Sequence, residues 1–210
     1  MATDWQTISS LATAGGTLVL ATATFAAIRS SNRSARLAEK ALLAGLRPLL
    51  VQSLSDDPTH KALWNDRHTA RVAGGRAIGE TEGDVVYLAI GLRNVGSGVA
   101  VLHGWHPLEQ AFGVPSHAPI EDFRRMGMDL YVPPGGTGHW ESAIREPDDP
   151  ARMRFTKLVA DREPFGIDLL YGDQEGGQRM ISRFVVLPVG ENEWYSQAAR
   201  HWNLDRPDPR

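Results

Sequence analysis

The chain of 210 residues carries 22 basic and 25 acidic side chains, a formal net charge of −3, and no cysteine. The lack of cysteine excludes disulfides, cysteine-ligated zinc or iron–sulfur centres, and a thiol nucleophile. The nearly balanced charge excludes a general basic surface for nucleic acid, so we expect no nucleic-acid partner. A hydrophobic content of 42% and a charged content of 22% exclude a wholly disordered chain.

The N-terminal segment is almost free of charge, because its first 28 residues contain one ionisable side chain, Asp4. The 24 residues from Trp5 to Ile28 are uncharged. A helix of that length spans a hydrocarbon core of about 30 Å. We therefore predict an N-terminal membrane anchor over 1–28. Two alternatives stay open. One is a buried core helix, and the other is a cleaved signal peptide, although no basic residue precedes the apolar run.

A basic cluster follows the apolar segment and predicts its orientation. It consists of Arg29, Arg33, Arg36 and Lys40. The positive-inside rule places this cluster and the following domain in the cytoplasm, with the N-terminus outside a cell membrane crossed once. The spacing of 4, 3 and 4 residues puts the cluster on one face of a predicted juxtamembrane helix over 29–46. We predict that the cluster faces anionic lipids, which makes membrane lipids the expected partner.

The remainder of the chain, 47–210, has a net charge of −5 and a different pattern of apolar residues. Short alternating apolar runs are separated by Gly, Pro, Asn and Asp, a pattern typical of strands and turns. The predicted strands lie at 49–54, 68–78, 85–94, 99–105, 130–132, 139–144, 165–171 and 180–187. We expect the third and fourth strands to pair as a hairpin around Asn94–Gly98, and the last two to pair as a second hairpin.

Two helices are predicted in this part of the chain. Asp149-Pro150 reads as an N-cap with proline in the first turn, leading into a helix over 151–159. A second short helix is predicted over 193–202, within a C-terminal helix and tail at 191–210. The strand pattern predicts a mainly β fold, an antiparallel immunoglobulin-like β-sandwich over 47–190, with a mixed α+β domain as the alternative.

A resemblance supports the β-sandwich prediction. The string Leu92-Arg-Asn-Val-Gly-Ser-Gly-Val-Ala100 follows Arg47-Pro48 and precedes Val132-Pro-Pro-Gly135. Together these motifs resemble immunoglobulin-like domains of uncharacterised bacterial single-pass membrane proteins. The resemblance implies one N-terminal span and a cytoplasmic β-sandwich. Its motifs are turn motifs, in which glycine supplies backbone conformations with positive φ, so it implies no catalytic residue.

Histidine spacing gives one candidate metal motif. His103 and His106 flank Gly-Trp, and Glu109 follows three residues later. Zinc needs ligands that converge on one point, whereas strand residues three apart point to opposite faces. We therefore predict no metal site. His139 is placed on a sheet surface rather than assigned as a catalytic base.

Other chemistry-bearing groups have structural interpretations. Gly96–Gly98 and Gly135–Gly138 lack the Lys-Ser/Thr pair of a phosphate loop and read as turns. The adjacent carboxylates Asp56-Asp57 and Asp148-Asp149 read as turn or cap residues rather than a glycosidase pair. We predict no catalytic residue and no cofactor. Four C-terminal rings either dock the last segment on the domain or form a patch for a partner: Trp194, Tyr195, His201 and Trp202.

The function predicted from these patterns is a membrane-tethered binding or scaffolding module without catalytic activity, with an unidentified protein as a further partner. Two alternatives stay open. One is a membrane-associated enzyme whose site is assembled from distant strands, and the other is an exported sandwich domain of opposite topology. A deep polar pocket that holds His103, His106 or His139 would favour the enzyme, whereas a flat face would favour the module.

Overall fold

The computed structural model describes residues 3–207, which divide into two compact units with the boundary between Ala44 and Gly45. The first unit is a helix, α1 (Thr3–Gly45), which continues without a break through the predicted anchor and juxtamembrane segments. A stretch within it, Ile8–Leu43, contains a window of 18 residues with a mean hydropathy of 1.7, which is long and apolar enough to cross a membrane. The helix ends just before Arg47-Pro48, because proline disfavours the helical conformation in the residue before it.

Threonine hydroxyls do not interrupt this helix. Thr13, Thr17 and Thr24 donate to the carbonyl oxygens four residues earlier, at 2.7–2.9 Å. Thr22 makes the same kind of bond to Leu18 at 3.0 Å. Because each hydroxyl is satisfied within the helix, these polar side chains add little cost in a hydrocarbon environment.

The second unit is mainly β. Its elements are β1 (Leu50–Gln52), β2 (His60–Leu63), β3 (Thr69–Val72), β4 (Arg76–Glu82), β5 (Val85–Asn94), β6 (Ala100–Leu108), a 3₁₀ turn (Ile120–Asp122), β7 (Arg124–Val132), β8 (Thr137–Ile144), α2 (Pro150–Ala160), β9 (Phe165–Gly172), β10 (Arg179–Val189) and β11 (Glu193–Asn203). The mainly β prediction is confirmed. Nine strands form one curled antiparallel sheet, in the order β1-β5-β4-β11-β10-β9-β6-β7 with β8 beside β5. The immunoglobulin-like sandwich is not confirmed, because these strands form one continuous sheet.

The main core lies on one face of the curled sheet. Its largest fully buried side chains include Trp140, Tyr171, Phe165 and Phe184. The alternation predicted for 165–171 places Phe165, Ile167, Leu169 and Tyr171 together in this core. Helix α2 contributes Phe155, and its N-terminus is capped as predicted by the Asp149 carboxylate, which accepts a hydrogen bond from the Ala151 amide at 2.9 Å.

Two smaller clusters cover the other face. The β2–β3 hairpin packs Ala62 and Trp64 on Tyr87 and Ala89 of β5. Elsewhere, Phe123, Leu170, Ile181 and Trp202 form a second cluster. Because β9 is covered on both faces, all eight of its residues are buried.

The predicted hairpin of 85–94 with 99–105 is wrong. Strand β5 pairs with β1, β4 and β8, whereas β6 pairs with β7 and β9. The intervening turn instead packs against the start of the domain. The side-chain amide of Asn94 holds the turn by donating to the Gly98 and Val132 carbonyls at 2.7 and 2.9 Å. Asn94 also accepts from the Leu49 amide at 3.1 Å. A side chain at Gly98 would clash with the Leu46 carbonyl, so the glycines of this motif permit a close chain crossing.

The predicted C-terminal helix over 193–202 is also wrong, since this segment is strand β11. The run Gln-Ala-Ala-Arg has good helix propensity, but pairing with β10 along its length overrides it. Trp194 and Trp202 are buried, which confirms docking for these two rings, while Tyr195 remains 39% exposed. Residues 208–210 of the predicted tail lie outside the described part of the chain.

Candidate functional site

The predicted lipid-facing residues lie on the exposed surface of α1. Arg29, Arg33, Arg36 and Lys40 are all exposed. Phe25, Ile28 and Leu37 line the same strip of helix surface. The mixture of basic and apolar side chains suits an interface between head groups and hydrocarbon, but contact with lipid remains a prediction.

A bulge in β6 distinguishes one region of the β domain. Leu102 pairs with Tyr171 of β9 and Gly104 pairs with Leu170, so His103 has no partner on that strand. On the other side, the pairing jumps from Leu102–Leu130 to Gly104–Arg125. His103 is therefore an extra residue relative to both neighbouring strands. Bulges of this kind re-aim side chains and occur often beside active sites.

Strand β7 bulges at the same place. Four of its residues, 126–129, stand opposite the single bulged residue of β6. Glycines permit the close packing around both bulges. A Cβ atom at Gly104 would lie 2.8 Å from the Arg124 carbonyl oxygen, and one at Gly172 would lie 3.0 Å from His103 Nε2. The imidazole of His103 thus rests against the backbone of β9.

The two bulges border a cavity of about 600 Å³, which we call the bulge cavity. Apolar lining comes from Ile120, Phe123 and Leu170. Five ionisable side chains also line it: His103, Glu121, Arg125, Asp129 and Arg179. Half of the ten lining residues are therefore ionisable, and all five of these side chains are exposed, so the cavity is an open, charged groove. Its volume lies within the range of about 300 to 1,000 Å³ found for small-molecule sites.

The charges of the bulge cavity are not paired with one another. Among residues 3–207, none of its five ionisable groups takes part in an ion pair within 4 Å. Asp129 accepts one long hydrogen bond, from Tyr131 at 3.4 Å. Eight other arginines of the domain do bind carboxylates: Arg47, Arg76, Arg93, Arg124, Arg145, Arg152, Arg154 and Arg183.

The surroundings of His103 favour the neutral form of its ring. Partial desolvation of the His103 ring lowers its pKa, and the nearby Arg179 guanidinium lowers it further. The carboxylates of Asp129 and Asp173 oppose this effect. At neutral pH the imidazole therefore offers one hydrogen-bond donor and one acceptor.

A second cleft, of about 260 Å³, lies between the edge strands β7 and β8, and we call it the seam cleft. Its polar groups are already engaged. Trp64 Nε1 donates to the Ser142 carbonyl at 2.8 Å, and Glu141 accepts from the Leu63 amide at 2.9 Å. Arg145 pairs with Asp66 at 3.0 Å. These bonds attach the β2–β3 hairpin to β8, which indicates a structural role.

The remaining candidates from the sequence are structural. His106 contacts the Asp122 carbonyl at 3.3 Å, and His139 binds Glu141 at 3.1 Å while stacking on His60. Within the described range, no group of three His, Cys, Asp or Glu side chains is arranged to hold a metal ion. The paired carboxylates act as expected: Asp57 binds Arg93, and Asp149 caps α2.

One pair resembles a nucleophile and its base. Ser182 Oγ lies 2.6 Å from His201 Nδ1. Ser182 is fully buried and also bonds to the Tyr171 hydroxyl at 2.7 Å, so no substrate can reach it. We assign this network to the packing of β9, β10 and β11.

Sequence reasoning identified His103 but missed the rest of the bulge cavity. Glu121, Arg125, Asp129 and Arg179 stand in no motif, and Arg179 is 76 residues from His103 along the chain. The local signal for the bulge is Gly104, because a glycine inside a strand often marks a bulge, and it follows the exposed His103 in an otherwise apolar run.

Comparisons with known proteins add no functional assignment. No family model matches the chain, and no curated protein matches it in sequence. A solved structure of a protein from Archaeoglobus fulgidus aligns with 61% of this chain and 93% of its own, at 12% identity and a TM-score of 0.25.

Proposed function

We propose that the chain is a membrane-tethered binding module with a cytoplasmic β domain whose ligand site is the bulge cavity. The observation that carries the proposal is the set of five ionisable groups, without ion pairs among the described residues, around one cavity. The anchor is supported by the uncharged segment Trp5–Ile28 of α1 and by its internally bonded threonines. Catalysis is kept as the second candidate, because the lining also supplies an imidazole and two carboxylates.

The orientation rests on the basic cluster after the anchor, which favours a cell-membrane protein with its N-terminus outside. Alkaline carbonate extraction should leave the full chain in the membrane pellet. A C-terminal reporter active only in the cytoplasm should give signal. Release of the chain into the supernatant would contradict the anchor, and signal only from a periplasm-active reporter would favour the exported alternative.

The basic cluster itself can be tested for lipid contact. Replacing Arg29, Arg33, Arg36 and Lys40 by Gln should weaken binding to anionic vesicles, by about 1 kcal/mol for each residue near the surface. A matched control replaces four exposed basic residues of the β domain: Lys61, Arg71, Lys157 and Arg206. Equal loss in both variants would show that the effect follows net charge rather than position.

An enzyme is the second candidate, because the cavity holds His103, and a neutral imidazole can accept a proton. Its partners would be Glu121 and Asp129, which line the same cavity. The two functions differ in turnover. A binding module releases its ligand unchanged, whereas an enzyme converts the ligand and loses this turnover in H103Q while still binding it.

A further inference from the structure

We propose that the bulge cavity binds a small zwitterion, a molecule that carries both an oxyanion and an ammonium group. This inference rests on the cavity being the ligand site of the proposed function. It adds the chemical class of the ligand, which is set by the signs of the charges that line the cavity.

The cationic part of the lining consists of Arg125 and Arg179. A guanidinium group presents several N–H donors in a plane, and this arrangement matches the oxygens of a carboxylate or phosphate. Arg125 lies in β7 immediately before its bulge, and Arg179 begins β10. Two separate strands therefore bring positive charge to one cavity, with neutral His103 also lining it.

The anionic part consists of Glu121 in the 3₁₀ turn and Asp129 in the β7 bulge. Carboxylates accept hydrogen bonds from an ammonium group. With two guanidinium groups, two carboxylates and a neutral imidazole, the lining has no net charge. A pure anion would meet the repulsion of Glu121 and Asp129, and a pure cation would meet that of the arginines.

A zwitterion satisfies both signs at once. Within residues 3–207, the arginines and carboxylates of the cavity form no ion pair with each other, although they line the same 600 Å³. Apart from the long hydrogen bond that Tyr131 donates to Asp129, each charge is therefore available to a ligand. The apolar lining from Ile120, Phe123 and Leu170 suits a short hydrocarbon link between the two ligand charges.

The same chemistry has two sources, a phospholipid head group and a free small molecule. O-phosphoethanolamine represents both, because it joins a phosphate to an ammonium through two carbons. Its binding is measured by calorimetry on the full chain in nanodiscs of phosphatidylglycerol, a lipid without an ammonium group. O-phosphoethanolamine should bind at least about tenfold tighter than inorganic phosphate or ethanolamine alone, a difference of about 1.4 kcal/mol.

Charge-removing variants locate the binding. The double variant R125Q/R179Q should lose the preference of O-phosphoethanolamine over ethanolamine, and E121Q/D129N should lose its preference over phosphate. R71Q and E191Q remove exposed charges elsewhere in the domain and should bind as the unmodified chain does. Binding unchanged in both double variants would overturn the proposal, because the ligand would then lie elsewhere.

Other outcomes separate this inference from the proposed function. Phosphate binding as tightly as O-phosphoethanolamine, with loss in R125Q/R179Q, would overturn the zwitterion and leave the binding module intact. No heat from any of the three probes would overturn the zwitterion as well. In phosphatidylethanolamine nanodiscs, weaker apparent affinity for the free compound indicates competition by the head group, and unchanged affinity indicates a soluble ligand; both support the shared chemistry.

Discussion

The seam cleft and the bulge cavity lie on either side of the same four-residue bulge of β7, yet their charges behave differently. Met126 lines both spaces. In the seam cleft, Glu141 and Arg145 are already bonded to partners in the domain. In the bulge cavity, the described arginines and carboxylates have no ion-pair partner.

This contrast in bonding separates a structural cleft from a binding site. A polar group that the fold already satisfies contributes to stability, and its loss leaves a partner unsatisfied. A charge at an open cavity contributes little to stability and remains free for a ligand. Substitutions in the seam cleft should therefore change unfolding, and substitutions in the bulge cavity should change binding.

The largest effect is expected at Trp64, which is 5% exposed and packs edge-on against Tyr87 with ring centroids 5.2 Å apart. W64A should lower the free energy of unfolding by about 3–5 kcal/mol, because it leaves a cavity under the hairpin. Urea denaturation of the full chain in detergent measures this. W64F keeps most of the volume, loses the bond to Ser142, and should cost less. If W64A lowered the free energy of unfolding by less than about 1 kcal/mol, this would contradict a structural role of the seam cleft.

The next effect is expected at Gly172 of β9, which lies beside His103 of the bulge cavity. A Cβ atom there would lie 2.5 Å from the Gln178 carbonyl oxygen and 3.0 Å from His103 Nε2. G172A should cost about 1–3 kcal/mol through overpacking and should shift the His103 imidazole signals in NMR spectra. Gly127 is the matched control, since a Cβ there meets nothing within 4 Å. Equal effects of G127A and G172A would contradict the packing around His103.

A smaller effect is expected at alkaline pH beside the seam cleft. The Tyr87 hydroxyl donates to Asp66 at 2.7 Å, and this bond raises the pKa of Tyr87 to about 12. A phenol with a raised pKa contributes stability that is present below pH 10 and is lost as the pH rises through 12. Between pH 10 and 12, the urea midpoint of unfolding should therefore fall less steeply in Y87F than in the unmodified chain. Parallel curves for both proteins would show that the bond does not form.

The smallest stability effect is expected for R125Q/R179Q. Both arginines are exposed and lack an ion pair among the described residues, so the change in unfolding free energy should stay within about 0.5 kcal/mol. By contrast, R183Q breaks a buried pair with Asp168 and should cost about 3–5 kcal/mol. If the cavity variant were as unstable as R183Q, its charges would hold the fold, and the distinction between the two clefts would fail.

Local signals were enough to predict some elements. Strand 85–94 matches β5 because alternation and flanking turns are encoded within it, and the Asp149 cap of α2 depends on adjacent residues. Pairing partners depend on distant parts of the chain. The segment after Asn94 looks like a hairpin turn, but it packs against Leu46–Leu49, which no short-range pattern reveals.

The candidate site was only partly predictable for the same reason. His103 stood out by its spacing from His106, but its role depends on a bulge that appears only in the pairing with β7 and β9. Arg125 and Arg179 look like ordinary surface residues in the sequence. Their convergence is a consequence of strand order, which places β6 between β7 and β9, with β10 next to β9.

An NMR titration of His103 in the full chain and in R179Q tests whether the charges of the bulge cavity come together. If His103 lies partly desolvated beside Arg179, its pKa should be below about 6.5, the usual value for histidine, and should rise in R179Q. A His103 pKa at or above the usual value that does not change in R179Q would contradict the assembly of these charges in one cavity.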